Sequence, residues 1–448
     1  MTQPTRQPTT EASLPPSLSA LLDEFKGCFS AWTFPVFYAL ASGMLAQSAR
    51  RSICGMLVGA GLSGTWSHHR AHRFFSHARW SIEEVSAILA RLVVRLVIAA
   101  DEPITVAIDD TLFHRRGPKV HAASWFHDGS AAGEAKLGYG NNWVILAIVV
   151  RLGILDRPIA LPVGFALVRK DSADSSRLAL ARRLVEALAA ALPDRKIHVV
   201  GDSAYAGKLL RGLPASVTWS TRLRSNASLY ELPPARTGER GRPRMKGKKL
   251  SNLATLAAGR TFTPTTVTRY GKTTTVSTAL VECCWYGVFG PQAVQVVFVR
   301  DKSKTGYDVA LATTDLDATA AQVIERYAAR WSIEVAIEVA IEDAKQLGGV
   351  GQARNRVEQA VKRTVPFGLT VNTLAILWYA TAGHHPGDVD AARALAPWYR
   401  QKARPSVLDM FAKVRRVIIA AQFRRVDSGP VTPQEISVIR LAWEDVPA

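Results

Sequence analysis

The chain has 448 residues, 48% apolar and 21% charged, a globular balance with length for roughly two to four domains and not a disordered composition. Lys and Arg number 56 against 37 Asp and Glu, a net charge of +19 with an isoelectric point near 10.1, so polyanions are the expected partners. Cys28, Cys54, Cys283 and Cys284 form no Cys-x-x-Cys pair, which argues against a disulfide scaffold or a Cys-rich zinc site and fits a reducing compartment.

The first 17 residues, rich in Pro, Thr and Gln, read as a loose tail without the apolar core of a signal peptide. The longest apolar stretches are broken by Arg91, Arg95 and Arg151 before they reach the length of about 18 residues that a membrane span needs. A soluble cytoplasmic protein without a membrane partner is therefore expected. Residues 18–100 have helical patterning, and SIEEVSAILARLVVRLVIAA begins at Ser81 as an N-cap with acidic residues in its first turn. This stretch is expected to be a helical N-terminal domain.

At Pro103 the period changes. ITVAI (104–108) reads as a strand that stops at Asp109, and NWVILAIVVRL (142–152) and PIALPVGFALV (158–168) read as two more. A helix is expected over 175–192, then a fourth strand, IHVVG (197–201), stopping at Asp202. Residues 217–300, rich in Thr, Val and aromatics, read as a β-rich insertion, and DVALATT (308–314) as the fifth core strand. Asp315 and Asp317 precede a long helix expected over 318–347. The remaining 351–448 reads as helical, with a capping-box-like start at Ser406 and Asp409. The expected class is α/β (α+β), a mixed sheet with a helical crossover. The core occupies 101–216 and 301–350.

Two carboxylate sites follow one pattern. VAIDDTLF places Asp109 and Asp110, and HVVGDSAY places Asp202, after an apolar strand. Carboxylates converging from separate strands suit hard divalent cations. The ordinary reading is that Asp follows strands because it favours turns. A third element, YAARWSIEVAIEVAIEDAKQ (327–346), carries Tyr327, Arg330, Glu334, Glu338, Glu342 and Lys345. Steps of four drift only about 40° around a helix, so the glutamates stay near one side, with Trp331, Ile333, Ile337 and Ile341 as the apolar side. The ordinary reading here is a solvated acidic stripe. Asp, Asp and Glu from two strands and a helix together describe a two-metal site for phosphoryl transfer.

These three motifs resemble those of DDE transposases of bacterial insertion sequences, the type with a Tyr-Arg-Glu-Lys signature, over roughly residues 100–380. The resemblance implies an RNase H-like catalytic core with the β-rich insertion between the second Asp and the Glu. It implies Asp109 as first metal ligand, with Asp110 as alternate, Asp202 as second, and Tyr327, Arg330 and Lys345 on DNA phosphate. For the glutamate, the spacing from Tyr327 and Arg330 picks Glu334, whereas counting back from Lys345 picks Glu338. The tandem VAIE at 335–338 and 339–342 accounts for the conflict as a four-residue insertion, which adds about 6 Å of rise and 40° of turn. Glu334 is preferred because Tyr327, Arg330 and Trp331 fix it at short range, and Glu338 is the rival.

The resemblance implies Mg2+, for which Mn2+ can substitute. The implied partners are double-stranded DNA at element ends and target, bound by a homodimer associated with a bacterial nucleoid, with no small-molecule substrate. The implied activity is cleavage at terminal inverted repeats followed by strand transfer. The alternatives are an RNase H-like nuclease that cuts without joining and an inactive, transposase-derived DNA-binding protein.

Further DNA contacts are expected from the basic run 236–249, which holds Arg240, Arg242, Arg244, Lys246, Lys248 and Lys249, and from Lys208, Arg211, Arg222 and Arg224 around the second Asp. Arg70 and Arg73, interleaved with aromatics in GTWSHHRAHRFFSHARWS, suggest DNA binding by the N-terminal helices. His68 and His72 have zinc-ligand spacing, but no Cys or Glu close in sequence completes a set. Trp125, Trp143 and Trp285 could stack on an unpaired base, against the ordinary reading of core packing.

Overall fold

The computed structural model describes residues 14–128, 136–170, 175–234, 243–269, 272–303, 305–328 and 349–424. Five helices come first: α1 (Pro16–Asp23), α2 (Phe34–Ala46), α3 (Ile53–Gly59), α4 (His68–Ser76) and α5 (Ile82–Val97). Ser81 caps α5 as expected, its side chain accepting the Glu84 N–H at 3.2 Å.

The strands are β1 (Ile104–His114), β2 (Ser124–His127), β3 (Leu137–Val150), β4 (Ile159–Leu167), β5 (Ile197–Gly201), β6 (Val217–Arg222), β7 (Thr263–Arg269), β8 (Lys272–Cys284), β9 (Ala293–Arg300) and β10 (Val309–Thr313). They form a single 10-stranded mixed sheet. β4, β3 and β1 pair antiparallel, the crossover helix α6 (Arg177–Ala191) follows, and β5 then lies parallel to β1 with β6 parallel to β5. The order β4-β3-β1-β5-β6 is that of an RNase H-like core. Ser176 caps α6 at the Ala179 N–H.

Two of the differences from the expected strands bear on the site. The place beside β5 belongs to β6, not to 308–314, which is β10 and lies one position further out. The polar look of VTWSTR hid a central strand, because its buried hydroxyls find partners across strands: Ser220 Oγ donates to Thr313 Oγ1 at 2.9 Å and Thr221 Oγ1 to the Asp202 carbonyl at 2.8 Å. The second difference is the length of β1. It does not stop at Asp109 but runs on to His114, held by its antiparallel ladder with β3.

The β-rich stretch continues the same sheet outward through β10, β9, β8 and β7. It also holds two short helices, α7 (Leu253–Ala258) and α8 (Tyr286–Phe289). After β10 comes α9, described from 320 to 328. The described residues end with α10 (Glu358–Trp378), α11 (Asp388–Leu395) and α12 (Val407–Arg424). Ser406 and Asp409 make the expected reciprocal cap, Ser406 N–H donating to Asp409 Oδ2 at 2.6 Å and Asp409 N–H to Ser406 Oγ at 3.4 Å.

One continuous core joins α1–α5, α10 and α12 to the sheet. With the turn that follows it, α10 is long and apolar enough to cross a membrane by composition, yet 83% of its most apolar window is buried inside the protein. A helix apolar on all sides is the expected centre of such a core. A smaller cluster lies under α9, where Val323 and Ile324 pack on Val297, Val299 and Leu311.

Candidate active site

Successive strand residues point to opposite faces, so Asp109 and Asp110 point apart. The register assigns the faces. Ala107 partners Val200, Val200 partners Ser220, and Ser220 partners Thr313, four strands sharing one face. Two residues beyond Ala107 comes Asp109, still inside β1 and on that face, and two beyond Val200 comes Asp202, one residue past the end of β5. The β1–β5 ladder ends at Ala107 and Val200, and β5 ends at Gly201, so both carboxylates stand where the parallel strands part. Crevices past the carboxyl ends of parallel strands are where open α/β sheets bind ligands.

Asp202 is half-buried, and its Oδ1 accepts the Ala204 N–H at 2.8 Å in a one-turn 3-10 helix, Ser203–Tyr205. Asp109 Oδ1 accepts the Asp110 N–H at 2.8 Å. Two carboxylates on rigid neighbouring strands are the donors a hard divalent cation takes. Among the described residues no three of His, Cys, Asp and Glu come close enough to hold a metal. Glu334 and Glu338, with Arg330 and Lys345, fall in 329–348, outside the described residues.

The ends that flank that stretch lie over the Asp109 face. On the entry side, Arg326 of α9 pairs with Asp315 at 2.6 Å, just past β10, and Tyr327 is half-buried against the cluster under α9. On the exit side, Arg115 donates from Nη1 to the carbonyls of Gly351 and Ala353 at 3.0 Å each, and from Nε to Asn141 Oδ1 at 2.9 Å. Arg115 is 8% exposed, and burial lowers its pKa to about 10, so it remains a cation. Gly351 has φ +90°, and a Cβ there would come 2.8 Å from the Phe113 ring. Phe113 is on the Asp109 face by parity.

Asp110 faces α6, where three side chains hold it. Its Oδ1 accepts from Tyr205 Oη at 3.1 Å, and its Oδ2 accepts from Asn142 Nδ2 at 2.9 Å and pairs with Arg177 Nε at 3.0 Å. Burial and the two neighbouring aspartates push the Tyr205 phenol well above its usual pKa, so it stays a donor. Tyr205, Arg177 and Asn142 were not singled out in the sequence. Tyr205 stood in GDSAY, while Arg177 carried no signal beyond its place early in the helix expected over 175–192.

On the face of Val200, buried His198 lies with Nδ1 2.5 Å from Thr218 Oγ1 and 3.6 Å from Asp315 Oδ2. Burial, helped by Arg326 and opposed by Asp315, lowers its pKa to about 4, so it is neutral at pH 7.

Of the basic run, Arg240 and Arg242 lie outside the described residues, whereas Arg244, Lys248 and Lys249 are exposed. Lys246 Nζ sits 3.8 Å from the Tyr230 ring centroid and 4.9 Å from that of Tyr286. Arg211 donates to the Tyr286 carbonyl at 2.7 Å, so the basic run and the turn after Asp202 meet at Tyr286. Arg70 and Arg73 are exposed on α4. Cys54, absent from any sequence motif, comes within 3.7 Å of His72 Nε2. Trp143 and Trp285 are buried, 1% and 8% exposed, because they face the core, which removes both as stacking surfaces; Trp125 is 58% exposed and edge-on to Tyr139.

A family described as DDE superfamily endonuclease matches residues 24–287. Among solved structures, the piggyBac transposase synaptic complex with hairpin DNA is similar at 10% identity and a TM-score of 0.40, covering 98% of this chain and 83% of that one. No curated protein matches the chain.

Proposed function

The chain belongs to the DDE superfamily endonuclease family, and on that footing we propose that it is a transposase of the insertion-sequence type, cutting DNA at the ends of its element and joining them to a target. The observation that carries this reading is the placement of Asp109 and Asp202 where β1 and β5 separate.

Asp109 and Asp202, with Glu334 as third carboxylate, would hold divalent cations, Mg2+ or Mn2+, which supply activation of an attacking oxygen and neutralise charge at the scissile phosphate. The chain's own groups do the rest. Tyr205 holds the Asp202 turn against β1 through Asp110. Arg326 and Arg115 fasten the two ends of the stretch that carries Glu334. Tyr327, Arg330 and Lys345 are proposed to hold phosphate near the cut. The cationic surface made of Arg211, Arg244, Lys246, Lys248 and Lys249 is proposed to track the DNA backbone, and Arg70 and Arg73 to bind the terminal repeats. Joining two ends at once requires two active sites, hence a dimer on DNA.

The test uses purified protein, a divalent cation, DNA bearing the element's own ends and a target plasmid, beside Asp202→Ala. Cut ends joined to the target and lost in the variant support the transposase. Cutting without joining contradicts it in favour of a simple nuclease. Specific binding with no scission contradicts it in favour of a DNA-binding derivative.

A further inference from the structure

Trp32 is 85% exposed, so the fold does not require it. The turn that presents it is nevertheless built tightly. Ser30 N–H donates to Thr33 Oγ1 at 2.9 Å, Thr33 N–H donates to Ser30 Oγ at 3.2 Å, and α2 starts directly after. A large aromatic side chain on a locked turn is pre-organised for contact.

Trp32 forms one wall of an open cleft of about 360 Å3 between the start of α2 and α4. Val36 and Phe74 line it on the apolar side, and Arg70, Arg73 and His77 on the polar side. No carboxylate lines it among the described residues. The Arg70 guanidinium lies 3.7 Å from the Trp66 ring centroid, which orients it without a counter-charge. Arg73 makes no ion pair among the described residues, although it sits exposed on a helix.

We propose that this cleft binds one nucleotide of a DNA strand, the base against Trp32 and the phosphate on Arg73 and His77. A nucleotide offers in one unit the flat π-face and the anion that the two walls call for. A second copy of a chain with net charge +19 brings more positive charge to a cationic cleft and fits it less well. The inference rests on the DNA-acting reading above but not on its chemistry.

The test is direct binding of a short fluorescein-labelled single-stranded oligonucleotide, and of the same strand as a duplex, by the full chain in EDTA, where cleavage does not enter. Trp32→Ala is expected to weaken single-strand binding by about ten-fold with the salt slope unchanged, and Trp32→Phe to retain most of the affinity. Arg73→Gln is expected to reduce the salt slope by about 0.7, the contribution of one phosphate on a single strand. Melting temperatures should not move, since both side chains are exposed. Wild-type affinity in both Trp32→Ala and Arg73→Gln overturns the proposal. A changed sedimentation coefficient with unchanged DNA affinity also overturns it and makes the cleft a self-contact. Loss of single-strand binding by Trp32→Ala with normal strand cleavage, or normal binding with lost cleavage by Asp202→Ala, separates this inference from the catalytic one.

Discussion

Tyr205 donates a hydrogen bond to Asp110 over 3.1 Å, and so fastens the turn that follows Asp202 to the strand that carries Asp109. The two aspartates at the crevice are thereby held by a bond on the face opposite Asp109. Tyr205→Phe keeps the packing and removes only the donor, and is expected to cost about 1 kcal/mol. Asp110→Ala leaves Tyr205 and Arg177 without their acceptor and is expected to cost about 1–3 kcal/mol. Urea unfolding of the three proteins measures both; equal midpoints for wild type and Asp110→Ala would show that the network carries no stability.

His198 gives the fold a pH dependence of definite sign. Its folded pKa, about 4, lies below the usual value of 6.5, so between those values the unfolded chain takes up the proton first. Its contribution is full above pH 6.5 and is lost progressively as pH falls toward 4, to a total on the order of 3 kcal/mol. Stability should therefore drop between pH 6.5 and 4.5 more steeply in wild type than in His198→Gln. Parallel stability curves for the two proteins would assign the acid sensitivity elsewhere.

Arg115 is buried without a carboxylate partner among the described residues, and spends its bonds on Asn141 and the carbonyls of Gly351 and Ala353. Arg115→Ala leaves those acceptors unsatisfied and frees the exit segment, at a cost of about 2–4 kcal/mol. Limited proteolysis should then cut near residues 349–353, and strand cleavage should fall while DNA affinity holds. An unchanged digestion pattern would mean the segment is held by other contacts.

Much of this arrangement was legible in the residues, and the gaps have physical causes. β3, β4, β5 and α6 were visible as apolar runs and a helical stretch because burial leaves local marks. β6 was not, because buried Ser220 and Thr221 satisfy their hydroxyls on Thr313 and the Asp202 carbonyl, partners distant in sequence that no local pattern records. The continuation of β1 past Asp109 was hidden for a related reason: carboxylates inside a strand look like its end. The contrast between Asp109 and Asp110 turns on a one-residue parity that only the sheet register supplies. Tyr205, Arg177 and Trp32 gain their roles from distant partners or from exposure, and neither is written in spacing.

The most direct test of the account compares Asp109→Asn with Asp110→Asn in one assay, divalent-cation-dependent cleavage of DNA carrying the element's ends. The account predicts that Asp109→Asn binds that DNA and does not cut it. It predicts that Asp110→Asn, though less stable, still cuts below its melting temperature. Cleavage at the wild-type rate by Asp109→Asn, with none by a folded Asp110→Asn, would place the reacting centre on the α6 face and contradict the account.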